Sequence, residues 1–325
     1  MSKTVEMNKP DMPSETTNFA AKLKHIIFSF RPEEFIALAA FFPMAYLTFK
    51  AYFFFKAQGY VPKLFIGDMQ RLGAVVIVII IAYIITRQRS DNAILSFLRD
   101  ILPFAYCLAI YTNLHDTVHF ANPNDIHNYL IAIDQWLFGC QPCVWSQQFV
   151  HPWLTEIFSF CYMIFFMFAP IVAIVLLIQK RRQEFRETIV TVILCFYCGY
   201  FLYVLFPAVP PRLTLKHLYT VNLDGAILTN VANQAINMLP SWSRCAFPSL
   251  HSAVTLLSLM FAWKYTKTTF WIILPFCIGL ILSTVYLRHH YVIDIFAGWA
   301  LAIPVFVYIP KFDKWWQGMI RKHSS

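Results

Sequence analysis

The sequence "STVYLRHHYVIDIFAG", residues 283–298, places two adjacent histidines and an aspartate between long apolar runs. His290 and Asp294 are four residues apart, so on a helix they share one face. A carboxylate there can accept a hydrogen bond from imidazole Nδ1, which leaves Nε2 free as a nucleophile. His289 is rotated by about 100° from His290, so it lies further from Asp294. A buried polar bridge between two helices would explain the pair without any catalysis.

A second stretch, "SRCAFPSLHSAV" at residues 243–254, has the features of a helix that begins beside an anion. Pro248 suits a helix start and Ser249 suits its cap. The backbone N–H groups of a first helical turn lack intrahelical partners, so they can bind phosphate oxygens. His251 would then lie beside that phosphate and could protonate a leaving oxygen. Alone, the motif is a helix start with a chance histidine, but paired with His290 and Asp294 it is more specific.

The composition indicates that these residues belong to a membrane protein. Of the 325 residues, 58% are hydrophobic and only 13% are charged, whereas soluble domains carry about a quarter charged residues. Spans need about 17–25 mostly apolar residues. We predict an all-α, polytopic membrane helix bundle with about eight transmembrane helices. The candidate spans are about 34–55, 70–86, 101–116, 154–179, 188–206, 249–265, 269–287 and 290–310.

The distribution of charge predicts the orientation of these spans. Lysine and arginine alternate between enriched and depleted connecting segments, and residues 117–154 contain neither. By the positive-inside tendency both termini are cytoplasmic, and the histidine motifs lie on the extracytoplasmic side. We therefore expect a cytoplasmic tail with an interfacial helix at 1–32, a transmembrane catalytic domain at 33–310 and a cytoplasmic tail at 311–325. The net charge of +9 comes without a basic, aromatic-laced surface, so it does not indicate nucleic-acid binding.

Together the two stretches and "FPAVPPRL", residues 206–213, resemble the type-2 phosphatidic acid phosphatase superfamily of membrane phosphatases and phosphotransferases. The resemblance covers roughly residues 207–298 and implies a six-helix phosphatase-like core. Leu250 replaces the glycine of the family motif PSGH, and Thr284 stands where the family usually has arginine. Arg212 is present without the usual proline and lysine around it. These departures, and "IDQWLFGCQP", are more similar to the branch that contains inositol-phosphorylceramide synthase and sphingomyelin synthase.

The resemblance implies a role for each site residue. His290 would form a phosphohistidine, Asp294 would orient it, and His251 would protonate the departing oxygen. The phosphate-binding residues would be Arg212, Arg244, Ser249 and Arg288, and the scheme needs no metal or other cofactor. The implied reaction moves a phospho-head-group from a phospholipid to a lipid acceptor. The alternative is hydrolysis of a phosphomonoester, phosphatidic acid or isoprenyl phosphate, with water as the acceptor.

Other patterns leave alternatives open. His115 and His119, with the histidines above, could form a metal site or a di-iron oxygenase box, although only one fragment matches such boxes. Cys140 and Cys143 form a CxxC pair that could be a redox pair, a disulfide or half of a zinc site. Residues 213–247 are either a gate for lipid entry or a connector. A transporter or binding scaffold that kept a decayed site is a further alternative. Transporters often show internal repeats with broken helices, and the sequence shows no such pair of halves.

Overall fold

The computed structural model describes residues 22–59, scattered positions between 70 and 84, and residues 93–230 and 244–324. The predicted second span lies largely outside the described residues, as do most of the N-terminal tail and residues 231–243 of the predicted gate or connector. Residues 22–27, within the predicted interfacial helix, are helical.

Within the described residues the structure is all-α. The longer helices are α1 (Pro32–Ala57), α2 (Ala93–Ala121), α3 (His127–Phe138), α4 (Pro152–Met163), α5 (Phe165–Ile178), α6 (Arg182–Leu205), α7 (Leu250–Tyr265), α8 (Lys267–Tyr286) and α9 (Val292–Ser324). Short helical turns lie at Pro142–Trp145, Ser146–Phe149, Pro211–Thr214 and Lys216–Leu218.

The helices support the predicted membrane-spanning bundle, but they do not reproduce the predicted count of eight spans. In the part of the chain that the structure describes, four helices are long and apolar enough to cross a bilayer: α1, α6, α8 and α9. The pair α4 and α5, bent by 48° where they meet, would make a fifth if it forms one broken span. The predicted sixth span corresponds to α7, which has only 16 residues. Among the described residues the count of eight is therefore not confirmed, while the membrane-spanning all-α class is.

The core of the bundle surrounds α7, which packs against α5, α6, α8 and α9. Leu257 and Phe261 on α7 are completely buried, as are Cys277 and Leu280 on α8. Helix α2 packs between α1 and α6. Helices α7 and α9 begin at the same end of this core. The two histidine motifs lie at these helix starts and are therefore close together.

The other end of the core carries a network of ion pairs. Arg186 contacts Glu33 and Asp313, each at 2.9 Å, and Arg31 contacts Asp100 at 2.5 Å. Arg99 pairs with Glu34, and Arg182 also pairs with Asp100. Each of these carboxylates is largely buried, so removing one partner would leave an uncompensated charge. The network fastens α1, α2, α6 and α9 together at the end furthest from the histidines.

Candidate active site

The loop between α8 and α9 presents His290 to Asp294. His290 Nδ1 lies 3.3 Å from Asp294 Oδ2, and both side chains are buried. The two residues do not share a continuous helix, because α9 begins only at Val292. Instead, the Tyr291 N–H donates to Asp294 Oδ2 at 2.9 Å, which folds the loop back onto the first turn of α9. The predicted pairing is therefore present, but a capped helix start produces it.

Burial, reinforced by the nearby charge of Arg212, lowers the pKa of His290 to about 4. At neutral pH the imidazole is therefore uncharged, which is the state that carries a free lone pair. Asp294 accepts the hydrogen bond at Nδ1 and so directs that lone pair to Nε2.

Asp134 on α3 holds the start of α9 in place. Its two carboxylate oxygens accept hydrogen bonds from the N–H groups of Val292 and Ile293, at 2.9 and 3.0 Å. A carboxylate suits this position because the first helical turn has unpaired donors and a positive dipole end. The sequence places Asp134 in "IDQWLFG", but spacing alone did not reveal that it caps a helix 158 residues later.

The first turn of α7 is joined directly to the first turn of α9. Ser249 caps α7 by accepting from the Ser252 N–H, and the Ser249 N–H donates to the Asp294 carbonyl oxygen at 3.0 Å. A Cβ atom on Gly298 would lie only 2.2 Å from Ser252 Oγ and 2.3 Å from the Ser249 carbonyl oxygen. Glycine at this position therefore allows the two helix starts to approach closely enough to share one site.

This approach brings the two predicted catalytic histidines into contact. His251 Nδ1 lies 3.2 Å from His290 Nε2. Because the lone pair of His290 lies on Nε2, His251 Nδ1 donates the hydrogen bond and His290 Nε2 accepts it. The arrangement places a proton-transfer group directly against the free nitrogen of the candidate nucleophile.

The predicted phosphate-binding residues have different environments. Arg212, in the turn Pro211–Thr214, has Nη1 3.0 Å from His289 Nδ1. Arg288 lies over the Tyr219 ring at 3.9 Å and donates to the Val221 carbonyl oxygen. Thus Arg212 is in contact with the histidine cluster, while Arg288 engages the segment after the Lys216–Leu218 turn.

Arg244 and Ser249 also have structural partners. Arg244 pairs with Asp125 through Nε at 2.7 Å, and the hydroxyl of Ser249 is used in the helix cap. The backbone of the same segment forms a bridge with the segment that precedes Arg212: Ala208 N–H donates to the Arg244 carbonyl oxygen, and Ala246 N–H donates to that of Ala208. This bridge holds the three predicted motifs at one end of the bundle.

His289 has a clearer role than its sequence position suggested. Because a guanidinium can only donate hydrogen bonds, His289 Nδ1 must accept from Arg212. The ring of His289 also stacks on Tyr162, with centroids 4.5 Å apart. His289 therefore fixes the direction of Arg212 rather than acting as a spare copy of His290.

Sequence reasoning missed the aromatic residues at the break between α4 and α5. Tyr162 stacks on His251 as well as on His289, and Phe165 lies 4.5 Å from the His251 ring. Both residues are part of "CYMIFFMF", which has the composition of an ordinary apolar span. Only the bend at Ile164 shows that this stretch covers the histidines.

Leu250, which replaces the glycine of the family motif, packs against Gly199 on α6. A Cβ atom on Gly199 would lie 2.3 Å from Leu250 Cδ2, so the leucine side chain occupies the space that glycine leaves on the neighbouring helix. Leu250 is 3% exposed and immediately precedes His251. The larger residue is thus accommodated by a smaller one across the interface.

We expect Gly199→Ala to lower the thermal unfolding midpoint, because overpacking of a filled interface costs about 1–3 kcal/mol. Adding Leu250→Ala should restore much of that loss, since the second change removes the atoms that clash. Melting curves of the purified protein in detergent would measure both effects. Gly318→Ala is the matched control, because apart from its chain neighbours and the backbone of its own helix no atom lies within 4 Å of the added Cβ. Additive losses in the double variant would contradict the proposed fit.

The alternative metal and cysteine sites can also be located. Within the described residues, no group of three or more histidine, cysteine or acidic side chains is arranged to hold a metal ion. The side chain of His115 lies outside the described residues, and His119 is exposed against Phe120. Cys140 and Cys143 are both free thiols, and Cys143 accepts a hydrogen bond from Tyr219.

Comparison with known proteins agrees with the motifs. The family model of the PAP2 superfamily, the type-2 phosphatidic acid phosphatases, matches residues 128–308, which is more than half of the chain. No curated protein and no solved structure matches the chain. The matched region contains the three motifs and all the predicted site residues, whereas α1 and α2 precede it. The chain belongs to the PAP2 superfamily.

Proposed function

We propose that the protein is a membrane lipid phosphotransferase that moves a phospho-head-group between lipids through a phosphohistidine. PAP2 membership supports phosphatase or phosphotransferase activity on lipid phosphates. The observation that carries the proposal is the chain of contacts from Asp294 to His290 to His251. It supplies an oriented nucleophile and an adjacent proton donor, the two groups that such a transfer needs.

In the first step, the lone pair of His290 Nε2 attacks phosphorus, and the bond from phosphorus to the donor lipid's oxygen breaks. Protonated His251 gives its proton to that oxygen, so the lipid leaves as a neutral alcohol. Asp294 stabilises the positive charge that develops on His290. In the second step, neutral His251 removes the proton of the acceptor hydroxyl, which attacks phosphorus and releases His290.

The charged groups around the site favour a phosphodiester donor. Arg212 contacts His289, while Arg244 and Arg288 have other partners, and Thr284 supplies no charge. A phosphodiester carries one negative charge and requires fewer cations than a phosphomonoester, which carries up to two. In the proposal, Arg212 is the principal phosphate ligand, and Arg244, Arg288, Ser249 and the first-turn N–H groups of α7 add to it.

The substrate class and the orientation are part of the same proposal. The phosphodiester preference and the Leu250 departure support the branch resembling inositol-phosphorylceramide synthase. The arginine-rich ion-pair network at the opposite end of the bundle supports a cytoplasmic location for that end, and hence an extracytoplasmic active site. The partners are then a phospholipid donor and a lipid acceptor drawn from the same membrane.

The second candidate is hydrolysis of a lipid phosphomonoester. It is favoured by the three arginines near the site, Arg212, Arg244 and Arg288.

We expect the purified protein, given labelled phosphatidylinositol and ceramide, to form a new phospholipid only when ceramide is present. A parallel reaction with labelled phosphatidic acid tests the phosphatase, since free phosphate would be its product. Phosphate release from phosphatidic acid, without acceptor-dependent transfer, would replace the transferase with the phosphatase.

A further inference from the structure

An apolar cavity of about 110 Å³ lies beside His251. One wall comes from α2 through Phe104, Leu108 and Tyr111, and the opposite wall includes Phe166 on α5. Leu108 is 53% exposed and Phe166 43%, so the cavity extends from the outer flank of the bundle to the site. Its contacts with α2 run along about 10 Å of that helix.

The cavity borders one of the two proposed catalytic histidines, His251. His251 is one of its lining residues, whereas His290 and Asp294 are not among them. In the proposed reaction, His251 protonates the oxygen of the departing lipid, so the hydrocarbon attached to that oxygen must lie on the His251 side. The cavity is on that side, and its lining is almost entirely apolar.

We propose that this cavity receives one of the two hydrocarbon chains of the donor lipid, both of which depart with the oxygen protonated by His251. The inference rests on the proposed function and extends it to donor selectivity. An apolar cavity of about 150 Å³ takes up a benzene molecule, so about 110 Å³ accommodates a few chain carbons. The remainder of the chain lies between α2 and α5, where it meets the bilayer.

Helix α2, which forms one wall of the cavity, lies outside the segment that the family model matches. Residues 93–121 precede the region matched by the PAP2 family model, which begins at residue 128. Tyr200 on α6, another lining residue, donates a hydrogen bond to the Cys107 carbonyl oxygen at 2.8 Å, which fixes α2 against the core. Donor-chain selectivity in this protein is therefore set in part by a helix outside the segment that the family model matches.

Leu108→Trp should fill the outer part of the cavity without disturbing the core, because Leu108 is more than half exposed. Each methylene excluded from an apolar site costs about fourfold in binding. We therefore expect the kcat/KM ratio between dihexadecanoyl and dibutanoyl donors to fall by about tenfold or more, because a four-carbon chain does not reach the outer part of the cavity. Phosphatidylinositol and phosphatidic acid, each with both chain lengths, are the probes.

Ile101→Trp is the control, since Ile101 lies two turns away on the same face of α2 and does not line the cavity. A second measurement is independent of turnover: phosphatidic acid with a photoreactive diazirine in its acyl chain should label α2 residues 104–111, also in His290→Ala. An unchanged selectivity ratio, equal losses for both chain lengths, or labelling away from α2 and α5 would overturn the inference. Labelling of α2 without turnover of any donor would instead count against the proposed function alone.

Discussion

Replacing His290 with alanine is expected to abolish turnover of every lipid substrate while the bundle stays folded. His290 supplies the nitrogen that would bond to phosphorus, and the variant lacks that nitrogen. Loss of a catalytic nucleophile typically lowers kcat by about 10⁴-fold or more. Asp294 keeps its hydrogen bond from the Tyr291 N–H in the variant, so the start of α9 retains its backbone anchor.

The measurement is substrate turnover together with phosphoryl labelling of the protein. Wild-type protein should trap an acid-labile, alkali-stable phosphoryl group, as expected for a phosphorus–nitrogen bond, and His290→Ala should trap none. An unchanged elution profile and melting curve would show that the variant is folded. Near-normal turnover by His290→Ala would refute the proposed mechanism.

His119→Ala is the matched control for this experiment. His119 is exposed on α2 and contacts Phe120, away from the His251 and His290 pair. It also belongs to the fragment that could have indicated a histidine-box metal site. Full activity in His119→Ala, beside complete loss in His290→Ala, would separate the phosphohistidine mechanism from that alternative.

The parts of the site that follow from short sequence motifs were predictable. His290 and Asp294 are four residues apart, and Ser249 and His251 belong to one helix start, so local spacing already suggested their contacts. The hydropathy of the chain indicated the membrane helix bundle in the same way. Both signals depend on neighbours in sequence, which a helix or, for His290 and Asp294, a capped helix start keeps close in space.

The rest of the site depends on how distant helices pack, which spacing does not encode. Gly199 fits Leu250 across 51 residues, and Asp134 caps α9 across 158 residues. Similarly, the prediction could not distinguish Arg212, which contacts His289, from Arg288, which turns towards Tyr219. Each distinction requires the relative rotation of two helices about their axes.

The bend between α4 and α5 is a feature of the predicted span that its apolar sequence does not reveal. Residues 154–179 read as a single span, yet the structure divides them at Ile164 with an angle of 48°. At that break Tyr162 and Phe165 cover His251. Uniform hydrophobicity conceals such a break, because both halves face apolar surroundings.

The role of His251 predicts an effect that depends on the leaving group. His251→Ala should lower kcat for lipid donors by about 10²–10⁴-fold, the usual contribution of general acid catalysis. The loss in the rate of phosphohistidine formation should be much smaller for an alkyl nitrophenyl phosphodiester, because nitrophenolate departs without a proton. His251→Gln, which keeps a hydrogen-bonding group beside His290, provides a variant of similar size and should show the same dependence.

The rate of phosphoenzyme formation provides the most direct measurement. With the nitrophenyl ester, His251→Ala should still form the phosphohistidine, because His290 and Asp294 remain in place. Its breakdown should be slow, since neutral His251 no longer removes the proton of the acceptor, and labelled enzyme should therefore accumulate. Equal losses in the rate of phosphohistidine formation for the lipid and nitrophenyl substrates would mean that His251 positions His290 through their 3.2 Å contact, and that the leaving oxygen is protonated by another group.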